Sequence, residues 1–179
     1  MQSLTRRTFA KLFAASATTM VAPILAATKP SDAPSPQVAV PDDKLESEFL
    51  LDLTLEAQPP HSLGSPGSGR LIVPVSGGTF EGPRLKGTII TPSGDWIEQR
   101  LDGSRVLDVR ILLQTDDAQI IYMSWRGIAY TPPGGALYAR ILPLFETGSP
   151  KYAWVNNVAA VGVYRGVAGK VAYRVFRIL

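Results

Sequence analysis

From about residue 45 to the C-terminus, apolar side chains fall on every second position, in short runs punctuated by glycine, proline and aspartate. Between Arg105 and Gln114, the residues Leu107, Val109, Ile111 and Leu113 take one parity, and Asp108 and Arg110 take the other. Successive side chains of a strand point to opposite faces, so this is the pattern of a strand with one apolar face. Glu48 to Glu56 repeats it with Phe49, Leu51, Leu53 and Leu55. Further strands are expected over Arg70 to Val75, Gly87 to Thr91, Gln119 to Tyr130, Ala136 to Phe145, Trp154 to Tyr164 and Lys170 to Ile178. Turn chemistry separates them at Pro92-Ser93-Gly94, Asp116-Asp117, Pro132-Pro133-Gly134-Gly135 and Gly166-Val167-Ala168-Gly169. No stretch in this region sustains a helical period. The last strand carries Tyr173, Val175, Phe176 and Ile178, an edge too apolar to leave open, and closure of the sheet hides it. The expected fold is all-β, a single closed antiparallel barrel of about eight strands.

The N-terminus reads differently. Thr5-Arg6-Arg7-Thr8-Phe9-Ala10-Lys11 precedes an uncharged apolar run from Leu12 to Ala27 that ends in small residues. This is the pattern of a twin-arginine export signal, short for a membrane span, which takes roughly 20 residues; the alternative is an uncleaved N-terminal anchor. The expected organisation is a cleaved signal over 1–27, a Pro/Ala/Ser-rich linker over 28–44 and the barrel over 45–179, with the twin-arginine translocase as export partner and the periplasm as destination. Arg6, Arg7 and Lys11 account for the whole formal charge of +3, since the chain has 18 basic and 15 acidic residues. The remainder is neutral overall and makes no case for nucleic-acid binding; the seven basic residues from Arg126 to the end, against the one acid Glu146, read as solvated strand faces.

With no cysteine and His61 as the only histidine, disulfides are excluded and a zinc site has too few ligands. Neither a metal nor a cofactor is expected. His61 lies in a Pro- and Gly-rich loop, a poor place for the base of a nucleophile triad. Gly64-Ser65-Pro66-Gly67-Ser68-Gly69 echoes a phosphate loop but lacks the following helix and the Lys-Ser/Thr pair. Gly77-Gly78-Thr79-Phe80-Glu81-Gly82 reads either as a bend of the barrel wall or as a place where backbone approaches a ligand.

The remaining chemistry is acid–base. Asp95 next to Trp96 can have its proton affinity raised by desolvation, and Tyr122 lies among apolar neighbours as a phenolic acid. These two are the candidate catalytic residues. Arg70, Arg110 and Arg140 offer planar donor forks for an anionic oxygen, Asn156 an amide donor, and Trp96 and Trp154 apolar walls. Asp108 and Arg110 share a face; whether it points into or out of the barrel is open from parity alone.

Several segments together carry a family resemblance. They are Gly69-Arg70, Val73-Pro74-Val75-Ser76-Gly77-Gly78-Thr79-Phe80-Glu81-Gly82-Pro83-Arg84-Leu85-Lys86-Gly87, Asp95-Trp96, Leu101-Asp102-Gly103 and Leu107-Asp108-Val109-Arg110. Thr115-Asp116-Asp117, Tyr138-Ala139-Arg140, Phe145-Glu146-Thr147 and Tyr152-Ala153-Trp154-Val155-Asn156 complete the set. The region resembles uncharacterised protein family 0311, also known as domain of unknown function 3237. The resemblance implies a small antiparallel barrel similar to that of allene oxide cyclase, and it implies no activity. Two functions stay in view: a barrel that binds a small, partly apolar organic molecule, as a cofactor-independent isomerase, cyclase or lyase, or a non-catalytic carrier or assembly module.

Overall fold

A computed structural model describes residues 44–64 and 69–179. The twin-arginine segment, the apolar run after it and most of the linker lie outside the described residues, as does the centre of the Gly64–Gly69 loop. The strands are β1 (Ser47–Ala57), β2 (His61–Ser62), β3 (Arg70–Glu81), β4 (Lys86–Gln99), β5 (Arg105–Thr115), β6 (Ile120–Tyr130), β7 (Tyr138–Glu146), β8 (Ala160–Val167) and β9 (Lys170–Ile178). They form one antiparallel sheet in the order β1-β9-β8-β7-β6-β5-β4-β3-β2, and an additional β1–β3 pairing closes it. Eight strands therefore make the closed wall, and the two-residue β2 adds to the rim through His61↔Ile72 and Ser62↔Leu71. Closure leaves β9 with partners on both sides, β1 and β8, as the apolar C-terminal strand demands.

The apolar parity faces inward. Leu51, Leu53, Leu107, Val109, Ile111, Leu113, Ile121, Met123, Ile141 and Val175 are all buried and share one core. At this strand number the interior is just wide enough for side chains to fill or for one small ligand. Asp108 and Arg110 consequently point outward, where they form a 3.3 Å ion pair at the surface.

Two irregularities shape the wall. In β3 the pairing with β1 shifts by one residue between Gly77 and Val75, beside Gly78 with φ +140°. One extra residue exchanges the two faces of a strand. Phe80 on one side of the bulge and Val75, Val73 and Leu71 on the other thus line the same interior, despite opposite parities. Gly78 also lies so close to the Thr54 carbonyl that no Cβ fits. The glycine run is a bulge of the wall.

The second irregularity corrects an expectation. Pro92-Ser93-Gly94 does not end a strand; β4 continues through it, with a register shift between Ile90 and Gly94. The Ser93 hydroxyl spans the gap, donating to the Ile90 carbonyl at 2.7 Å and accepting the Leu112 N–H at 3.0 Å. A hydroxyl that replaces a ladder bond lets a turn-like tripeptide lie within a strand. The expected strand from Trp154 is also corrected: Ala153–Asn157 is a 3-10 turn, and β8 begins at Ala160.

Candidate active site inside the barrel

Asp95 follows the β4 bulge directly. Its cross-strand partners are Val73 on β3 and Val109 on β5, and directly opposed residues share a face. Val109 is buried, so Asp95 takes the inward parity, as does Ile97 two residues on. The same rung continues through Trp125 on β6 to Pro143 on β7. Asp95 is an acid set into an otherwise apolar ring.

This placement governs its protonation. Desolvation is the dominant influence and pushes the carboxyl up to about 6; the nearby Asp108 charge adds to it. Two influences oppose: the Asp108 backbone N–H donates to Asp95 Oδ1 at 3.1 Å, and Arg105 lies close enough to favour the anion. A carboxyl poised near 6 gives and takes protons at neutral pH.

Aromatic groups with polar tips gather on the same interior. Trp125 is 3% exposed, and its indole N–H is a buried donor with no partner. A buried polar group without a partner calls for an explanation, because it costs about 1–3 kcal/mol. The Trp125 ring packs edge-on against Tyr173 at 6.0 Å, and Tyr173 against Tyr164 at 5.9 Å. Burial, and then the charge of Asp95, hold the Tyr173 phenol well above its ordinary value, so it stays a neutral O–H donor. Arg105 has the inward parity of Leu107 and stands at the barrel end. There a groove of about 490 Å³ runs past Ser104, Arg105, Tyr130 and Pro132.

The other expected residues do not join this cluster. Tyr122 and Arg110 point outward and line a separate groove of about 580 Å³ along β5, β6 and β7. This is the larger concavity, yet the perturbed carboxyl of Asp95 lies on the other face of the wall. Trp96 also faces out, under the Arg110 guanidinium at 5.3 Å. Arg70 is exposed and 3.9 Å from Glu98. Arg140 donates to the neighbouring Ala139 carbonyl and lies over the Tyr138 ring at 4.2 Å. Trp154 is stacked beneath Arg84 at 3.8 Å, at the opposite end of the barrel. The Asn156 amide is occupied by the backbone of Thr147, accepting from its N–H at 2.8 Å and donating to its carbonyl at 3.0 Å. Of the eight expected residues, Asp95 alone faces the interior cluster. Sequence reasoning missed Arg105, Trp125, Tyr164 and Tyr173. Their signal was a polar tip on the core parity, which reads first as packing.

Fold and site together define the class: a closed eight-stranded antiparallel barrel with a desolvated acid inside. Residues 45–178 match the family described as Protein of unknown function (DUF3237), and the chain belongs to that family. A UPF0311 protein of Rhodopseudomonas palustris is 27% identical over 149 residues, 75% of this chain and 97% of that protein. A solved beta-barrel-like protein from Acinetobacter baumannii superposes with a TM-score of 0.71 at 32% identity, covering 76% of this chain and 97% of that one. A Penicillium herquei protein named hydroalkoxylation enzyme phnH is 32% identical over 118 residues, 64% of this chain and 71% of the enzyme. A solved enzyme from that fungus superposes with a TM-score of 0.64 at 25% identity, covering 75% of this chain and 95% of that one.

Proposed function

We propose that this protein is a cofactor-independent acid–base enzyme acting on a small, partly apolar organic molecule inside the barrel, with Asp95 as the proton-transferring group. The observation that carries this reading is the Asp95 carboxyl, desolvated between Val73 and Val109 and poised near 6. The Penicillium relative lends support through its name, since hydroalkoxylation adds an O–H across a C=C bond. That reaction suits one carboxyl. Protonated Asp95 gives its proton to an alkene carbon, the substrate hydroxyl oxygen closes onto the adjacent carbon, and the carboxylate takes the hydroxyl proton. The product is an isomer of the substrate, and the acid is regenerated. Trp125 and Tyr173 would donate hydrogen bonds to a substrate oxygen, and Arg105 would stand at the entrance. Tyr122, Arg110 and Trp96 lie on the outer face and have no part in this chemistry.

The test incubates the protein with a panel of alkenylphenols and alkenols and follows products of unchanged mass by chromatography. Turnover should occur in the wild type and fall by about 100-fold or more in Asp95→Asn. Turnover that Asp95→Asn leaves intact would remove the proton-transfer role. Binding without turnover in either protein would instead make the barrel a carrier. We also propose that the chain is exported by the twin-arginine route to the periplasm. Replacing Arg6 and Arg7 by lysine should retain it in the cytoplasmic fraction, and unchanged export would reject this.

A further inference from the structure

The outward face of β5, β6 and β7 is unusual for a barrel wall. Leu142 is 62% and Leu144 65% exposed, and they border the 580 Å³ groove together with Asp108, Arg110, Ser124 and Arg126. The cross-strand register orders these side chains. Asp108, Arg126 and Leu142 form one outward rung; Arg110, Ser124 and Leu144 form the next. The inward rung Val109–Trp125–Pro143 lies between them. Along β7 the outward series reads Arg140, Leu142, Leu144, Glu146, that is, cation, apolar, apolar, anion.

This series is self-complementary. A two-fold axis in the plane of the face, along the Val109–Trp125–Pro143 rung, reverses each strand onto its own copy. Leu142 then meets Leu144 of the partner copy, and Arg140 meets Glu146. On β5 the same axis brings Arg110 over Asp108, and on β6 it brings Ser124 over Arg126. Each charge on β5 and β7 meets its opposite and each leucine meets a leucine, as an isologous interface requires. Among the described residues Arg126, Arg140 and Glu146 have no ion-pair partner within one chain. Arg140, held by the Ala139 carbonyl and the Tyr138 ring, and Glu146 carry opposite charges that a second copy can pair.

We infer that this face is the interface of a two-fold homodimer, with the leucine pair at its centre and Arg140–Glu146 pairs at its ends. The two barrel interiors face away from it, so the inference is independent of the chemistry proposed for Asp95.

Sedimentation equilibrium on the wild-type protein, with the denatured mass of the same sample as reference, should give twice that mass. Leu142→Asp with Leu144→Asp should give a monomer with an unchanged far-UV circular dichroism spectrum. Glu146→Arg should weaken association by about tenfold, placing like charges at both ends. Glu146→Arg combined with Arg140→Glu should restore it, which a merely structural role for either residue would not do. A monomeric wild type overturns the inference. So does a dimer indifferent to the leucine changes, a double charge reversal that fails to restore association, or a native mass that reveals a different protein on this face.

Discussion

Asp95 shows how one side chain can set stability and chemistry against each other. Its folded value of about 6 lies above that of a free aspartate, so folding favours its neutral form. The contribution is fully present below the unfolded value near 4 and is lost as pH rises through 6. The loss comes to about 3 kcal/mol, from roughly two units at 1.4 kcal/mol each. Asparagine keeps the oxygen that accepts the Asp108 N–H and never ionises. Asp95→Asn should therefore unfold at higher urea than the wild type at pH 8 and match it at pH 4, while losing activity. Equal urea midpoints at pH 8 would show that the carboxyl is solvated after all. Trp125→Phe removes an unpartnered donor as well as ring volume. The two effects oppose, so stability should stay within about 1–2 kcal/mol of wild type, well short of the 3–5 kcal/mol of a truncation to alanine. Ligand affinity should fall in the same variant if the indole N–H is held for substrate.

At the level of elements, the bulges decide more than the strands do. The β3 bulge flips parity, which puts Phe80 and Val73 on one side of the wall. Gly78 holds that bend at φ +140° against the Thr54 carbonyl, and Gly78→Ala should cost about 2–4 kcal/mol in chemical denaturation, through both backbone strain and collision. The β4 bulge sits just before Asp95, and the Ser93 hydroxyl fastens it. Ser93→Ala should loosen Asp95 and move its carboxyl titration, observed by carbon NMR, toward that of a free aspartate. The Thr147–Asn156 clamp fixes the long β7–β8 connection. Asn156→Ala should lower stability by about 1–3 kcal/mol and leave ligand affinity unchanged, since the amide serves the backbone.

For the molecule as a whole, closure joins the residues from both ends of the domain through β1. Asp52 and Arg174 link β1 to β9 with two hydrogen bonds of 2.7–2.8 Å, yet the pair is solvated and adds little to stability. The ladder and the buried apolar core carry the closure. The opposite end of the barrel titrates in the reverse sense from Asp95. Lys151, Thr115 and Tyr152 hold the Asp117 carboxyl well below its ordinary value. Its contribution is present above the unfolded value and lost as pH falls through the acidic range. Acid unfolding of Asp117→Asn should begin from a lower baseline and show a shallower pH dependence than the wild type.

Binary patterning was enough to specify a closed antiparallel barrel, because a period of two over successive strands and an apolar final strand leave few other ways to bury one face. The Leu107–Leu113 series is the clearest instance: its parity marks the core side once the interior is known to be apolar. Asp95 drew notice through Trp96 beside it, but Trp96 faces out and the desolvation comes from the barrel interior, which the local sequence does not show. The rest depended on tertiary structure. Arg110 and Tyr122 looked as suited to a site as Asp95 did, and only the sheet's closure turned them outward. Trp125 and Tyr173 are 48 residues apart in the chain and meet across the barrel. Local propensity carries no information about such a contact. It arises from strand register, from bulges that add or skip a residue, and from the curvature that brings β9 round to face β6.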